Sequence, residues 1–161
     1  MRCDIGDGGI DQSIACAHTE EARVVPACLQ ELFKVGVTGT SHAATGVEGA
    51  SAAGFDQFLQ ARWCDTRFLC VRDGDRLVAA AVTDVTPIGF SAVYTFFDPD
   101  LATRSLGVFS ILQQIAWAER LGLPHVYLGY WLDGHAKMSY KQHYQPREIL
   151  EQGQWKRVDA P

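Results

Sequence analysis

Two stretches hold the side chains best suited to chemistry: VYTFFDPDLATRSLG at 93–107 and YLGYWLDGHAKMSYKQHY at 127–144. In the first, an alternating aromatic run ends in Asp98-Pro99-Asp100, and Arg104, Ser105 and Gly107 follow. Two carboxylates at a strand end suit an ammonium group. Asp-Pro-Asp is equally ordinary turn chemistry, and the pattern leaves both readings open. Arg104 offers a planar fork of donors that fits phosphate. It stands just ahead of an expected helix, whose free N–H groups and partial positive charge favour an anion. Gly107 lets another group approach the backbone closely. The plainer alternative is that Asp100 or Ser105 caps the helix, and capping does not exclude phosphate binding.

In the second stretch, Lys137, Tyr140, Lys141 and Tyr144 fall at i, i+3, i+4 and i+7, one face of a short helix. Cations for phosphates and rings for bases suit a nucleic-acid end. A solvated lysine face with amphipathic tyrosines fits the same spacing. Gly129, expected in mid-strand, marks close approach of a backbone or ligand. His125, His135 and His143 have no metal-ligand spacing, and the five cysteines include no metal or redox pair, so no metal site is expected. Cys64 and Cys70 read as ordinary small buried residues. There is no Gly-Lys-Ser/Thr phosphate loop and no Gly-x-Ser-x-Gly elbow, which leaves nucleotide hydrolysis and serine-hydrolase chemistry without support.

The elements that must hold these residues are legible from Phe55 onward. FDQFLQARW (55–63) puts Phe55, Phe58, Leu59 and Trp63 on one helical face. RFLCVR and RLVAAAVTDV are strands joined by Asp73-Gly74-Asp75, a hairpin signal. TPIG is a second turn and FSAVYTFF a third strand. Residues 105–121 form a long helix with an apolar stripe through Leu106, Phe109, Leu112, Ile115, Ala116 and Leu121, stopped by Gly122. HVYLGYW (125–131) is a fourth strand, HAKMSYKQHY a short helix, and PREILEQGQWKRV closes the chain. A strand–helix–strand unit makes its strands parallel with a right-handed crossover. An antiparallel meander that turns parallel at its end is the layout of the α/β acyltransferase fold of N-acetyltransferases (GNAT-like). There, the carbonyl donor lies where the last antiparallel and the next parallel strand splay apart.

With 161 residues, 47% of them hydrophobic, the chain can bury one real core. Residues 1–50 read as irregular and mobile, apart from a possible helix within 22–35 interrupted by Pro26. From Gly36 to Gly54, 15 of 19 residues are Gly, Ala, Ser or Thr, with little apolar surface to offset ordering entropy. The net charge of −5 announces no DNA-binding field, and seven acids against three bases in residues 1–50 carry most of it. Within 134–157 the sign reverses: Lys137, Lys141, Arg147, Lys156 and Arg157 stand against Glu148 and Glu151. No leader and no membrane-length apolar run is present, so a cytoplasmic protein without membrane contact is expected.

SAVYTFFDPD, RSLG, ILQQIAWAERLGLPHVYLGYW and KMSYKQHYQP together resemble the C-terminal domain of the aminoacyl-tRNA–protein transferases, the arginyl- and leucyl-transferases of the N-degron pathway. The resemblance runs from about Ser51 to Trp155 and sets the expected domain at 51–157. It is nearer the bacterial aspartate/glutamate leucyltransferases, because the long extension of eukaryotic arginyl enzymes does not follow Gly153-Gln154-Trp155. Residues 1–50 do not resemble the family's cysteine-containing N-terminal module. The resemblance implies transfer of leucine or arginine from aminoacyl-tRNA to proteins beginning with Asp or Glu, which marks them for degradation. The aminoacyl ester is already activated, so no cofactor is expected. It further implies that Arg104, with the N–H groups of Ser105 to Gly107, holds the tRNA 3′ end. Tyr140, Lys137 and Lys141 contact the acceptor stem or the acceptor's acidic side chain. Tyr94 and Tyr130 line the cleft, and Asp98 or Asp100 orients the attacking amine. Two alternatives stand beside it. One is an acetyl-CoA-dependent enzyme of the same fold, although RSLGVF is glycine-poor for a pyrophosphate loop. The other is a domain that binds tRNA or an N-degron without transfer.

Overall fold

The computed structural model describes residues 2–4, 18–22, 64–136 and 138–158. The expected helices within 22–35 and at 55–63, the small-residue run 36–54 and Lys137 lie outside the described residues. The described strands are β1 (Arg2–Asp4), β2 (His18–Ala22), β3 (Asp65–Asp73), β4 (Arg76–Thr86), β5 (Gly89–Phe97), β6 (His125–Tyr127), β7 (Arg147–Glu151) and β8 (Gln154–Val158). They form one mixed sheet in the order β2-β3-β4-β5-β6-β1-β7-β8. The protein is thus α/β, with helix α1 (Leu106–Arg120) crossing from β5 to β6.

Turn chemistry sets the meander. Gly74, at φ +59°, reverses β3 into β4 at the expected hairpin. At the next turn Gly89 begins β5 against the β6 backbone, and a Cβ there would lie 2.2 Å from the His125 carbonyl oxygen. The alternating apolar residues of β3 and β4 then divide between two faces. Leu69, Ala81, Phe90 and Val126 pack with Ile111, Ile115 and Trp117 of α1, and the Phe90 and Trp117 ring centroids stand 4.5 Å apart. Phe68, Cys70, Ala80 and Val82 form a cluster on the other face, joined by Tyr94 and Phe96.

The sequence expectation differs from the structure in several places. Residues 2–4 and 18–22, expected to be irregular, are strands: β1 inserts antiparallel between β6 and β7, and β2 pairs with β3. Neither shows in the local pattern, because short strands owe their ladder to distant partners. The tail 146–158 is a hairpin turning at Gln152-Gly153, both at positive φ. The expected helix at 135–144 is a five-residue 3-10 helix, Ser139–His143. Cys70 is buried in the core and disulfide-bonded, so the expectation of an ordinary buried thiol fails there. Cys64 is free and half-buried, and burial followed by the Asp84 carboxylate pushes its thiol pKa up.

Candidate functional site

The central geometric feature is the parting of β5 and β6. They pair in parallel only at Phe90–Val126 and Ser91–Tyr127. Beyond Ser91, β5 runs on to Phe97 bonded to β4, while the strand expected at 125–131 stops at Tyr127. A bulge sits at the parting. Val82 opposes Tyr94 and Thr83 opposes Ala92, leaving Val93 as the extra residue. The bulge flips the facing of the strand: Ala92 lies with α1, whereas Tyr94 points to the other face, its ring 4.6 Å from Phe96. Tyr94 therefore packs into the second core cluster.

Lys141 explains why the β6 arm departs. Its ammonium donates to the carbonyls of Leu128 and Tyr130, both at 2.6 Å, which a longer β6 ladder would have used. Gly129 between them is left-handed at φ +76°, and a Cβ there would lie 4.0 Å from Lys141 Nζ. Lys141 is only 9% exposed, and burial lowers its pKa. The expected cationic helix face is therefore absent as drawn, since a 3-10 helix repeats every three residues and not every 3.6. Lys141 turns inward to main chain and Tyr144 is buried in the α1 core. Tyr140 stays half-exposed, edge-on to Tyr144 at 6.4 Å, and burial raises its pKa. Tyr130 is 89% exposed on the departing arm.

The Asp-Pro-Asp end of β5 resolves in favour of turn chemistry. Asp98 is fully buried, ion-paired to Arg76, and accepts the Asp100 N–H at 3.0 Å as N-cap of the 3-10 helix Pro99–Arg104. Both carboxylate oxygens are engaged, so Asp98 is not presented to a substrate amine. Asp100 is exposed. The expected helix start holds, but neither Asp100 nor Ser105 caps α1 through its side chain. Ser105 joins the two helices in a left-handed conformation at φ 52°, unusual for a residue with a Cβ. Gly107 meets only ordinary contact, since a Cβ would lie 3.9 Å from the Phe97 ring. Arg104 reaches Asp73 of the β3–β4 turn at 2.6 Å, an exposed pair that leaves most of its donors to solvent.

Arg104, Ser105 and Gly107 thus lie together beyond the C-terminal end of β5, while Tyr130 stands on the departing arm and Lys141, with Tyr140 beside it in the 3-10 helix, holds that arm. Sequence reasoning passed over Arg147 and Trp131. Arg147, the first residue of β7, is 4% exposed, donates to the Gln142 carbonyl and lies 6.0 Å from the Trp131 ring centroid. Nothing in Pro-Arg-Glu announces a buried guanidinium. Among the described residues no cluster of His, Cys, Asp or Glu could hold a metal ion, and no helix is long and apolar enough to cross a membrane.

The family described as "Arginine-tRNA-protein transferase, C terminus" matches residues 32–151, beginning ahead of the Ser51 start of the sequence resemblance. The aspartate/glutamate leucyltransferase of Stenotrophomonas maltophilia (strain R551-3) is 53% identical over 124 residues, covering 73% of this chain and 49% of that protein. The protein of the same name from Xanthomonas euvesicatoria pv. vesicatoria (strain 85-10) is 48% identical over 125 residues, covering 74% and 50%. That from Alcanivorax borkumensis is 53% identical over 107 residues, covering 66% and 44%. The chain spans about half the length of these curated relatives. With three-quarters of its length inside the matched region, the chain belongs to the family of arginine-tRNA–protein transferase C-terminal domains.

Proposed function

We propose that this chain transfers an aminoacyl group, leucine in preference to arginine, from aminoacyl-tRNA to the N-terminal α-amine of proteins beginning with Asp or Glu, in the cytoplasm where aminoacyl-tRNA is made. The relatives named leucyltransferases support the donor and acceptor, and the domain on this reading is GNAT-like. The observation that carries it is the parting of β5 and β6 after two residue pairs, beside the β5 bulge. Beyond that point β5 pairs with β4 alone among the described strands, and its other edge is where an extended substrate would lie. In the reaction the amine nitrogen bonds to the ester carbonyl carbon, the bond from that carbon to the ribose oxygen breaks, and the amine proton passes to solvent while the ribose oxygen takes one up. The protein's contribution is to hold the two substrates together and to stabilise the developing oxyanion.

On this reading Arg104 and the uncapped start of α1 take phosphate or ribose at the tRNA 3′ end. Tyr130 is exposed enough to stack on the terminal base. Lys141 positions the arm that carries Tyr130 and does not itself touch phosphate. The test is to incubate the full chain with leucyl-tRNA or arginyl-tRNA and peptides beginning Asp, Glu, Asn or Gln, and to read the peptide mass. Addition of one leucine to the Asp and Glu peptides is expected. Binding of both substrates without transfer, or acetylation from acetyl-CoA, would overturn the reading.

A further inference from the structure

Two cations, Lys141 of the 3-10 helix and Arg147 of β7, are buried beside the departing arm without a counter-anion among the described residues. Arg147 has the Gln142 carbonyl as acceptor, and its Nε–H is buried with none. Lys141 rests on two neutral carbonyls. The described ion pairs use Asp65, Asp98, Asp73 and Glu151, and none includes Lys141 or Arg147. Glu148 follows Arg147 along β7 and so projects to the opposite face. Against the guanidinium lies Trp131, whose indole N–H is also buried without an acceptor. Buried charge without an opposite charge is costly, and so is a buried donor without an acceptor. The cluster has both defects at one place, and a single anion would relieve both.

We propose that Arg147 and Trp131 form a carboxylate subsite, with Lys141 adding to its positive field, that reads the acidic side chain of the acceptor's first residue. This assignment rests on the transferase reading above. The guanidinium fork matches a carboxylate in shape, and the indole ring stands beside it. The two cations are 4% and 9% exposed, so only a small group can come against them. A site that carries uncompensated charge only until the acidic end arrives discriminates against Asn and Gln, which bring no charge.

The experiment follows the indole N–H resonance of Trp131 in the 15N-labelled full chain, identified by its loss in Trp131→Phe. Short peptides beginning Asp or Glu should move it, and Asn or Gln peptides should not. Arg147→Gln should lower the preference for acidic over amide N-termini about tenfold or more, the loss of one charge-assisted hydrogen bond. Its urea stability should not fall, because an unpaired buried charge is removed. Arg147→Lys should restore only part of the preference. An unmoved indole, or an undiminished preference in folded Arg147→Gln, overturns the proposal. So does a loss of stability with unchanged preference, which makes Arg147 structural. Weakened tRNA binding with a flatter salt dependence makes the site a phosphate site, and also overturns it. Leucyl transfer whose acid preference survives Arg147→Gln removes the subsite and leaves the reaction standing. Arg147-dependent peptide binding without transfer does the reverse.

Discussion

Replacing Lys141 by Met tests the account of the parted strands. Met keeps the length and the apolar stem but removes the donor to Leu128 and Tyr130. The Leu128 carbonyl belongs to a buried residue, and leaving such a group unsatisfied costs about 1–3 kcal/mol. Tyr130 is exposed and its carbonyl can rehydrate, so it adds little. Removing a buried ammonium returns part of the loss. A net destabilisation of about 1–2 kcal/mol is expected, read as a lower urea midpoint at unchanged slope. Amides at 128–131 should exchange faster while those of α1 do not. The pH dependence adds a sign. Burial lowers the Lys141 pKa from its ordinary 10.5, so the unfolded chain holds that proton more tightly. Wild-type stability should therefore rise with pH between the lowered value and about 10.5, then flatten. The neutral amine keeps two hydrogens for the two carbonyls, so the clamp survives deprotonation. Tyr140, whose pKa is raised by burial, contributes the opposite slope, but it is present in both proteins and cancels in the difference. A Met variant as stable as wild type, with unchanged exchange at 128–131 and the same alkaline slope, would refute the clamp.

Gly89→Ala should lose about 3 kcal/mol, because the new Cβ meets the His125 backbone and must push β5 off β6; thermal unfolding measures it. Asp98→Asn should lose about 2–3 kcal/mol in urea, from a weakened cap and the broken Arg76 pair, whereas a catalytic Asp98 would leave stability unchanged. Arg104→Ala should leave stability within about 1 kcal/mol, since its Asp73 pair is exposed, yet weaken tRNA binding by about 1.5–3 kcal/mol and reduce the salt slope by about one unit. Equal binding and slope would take Arg104 off the phosphate.

The sequence by itself determined the elements whose signals are local. Asp73-Gly74-Asp75 fixed one hairpin, and the 3.6-residue stripe with its Gly122 stop fixed α1 to within a residue at each end. The order of meander, helix and parallel strand followed, and with it the family. What only the tertiary structure decided depends on partners distant in the chain. The β5 bulge turned Tyr94 from one face to the other, and a period-two pattern carries no mark of a single extra residue. Asp98 became a buried cap because Arg76, on the neighbouring strand, met it there. Lys141 and Arg147 read as surface charge, since lysine and arginine are rarely buried. They lie inside because a short 3-10 helix folds back over the arm leaving β6, whose main-chain carbonyls accept from the lysine. A sequence lists donors, but only the packed chain shows which of them lack acceptors, and that shortage separates the cleft's chemistry from its scaffold.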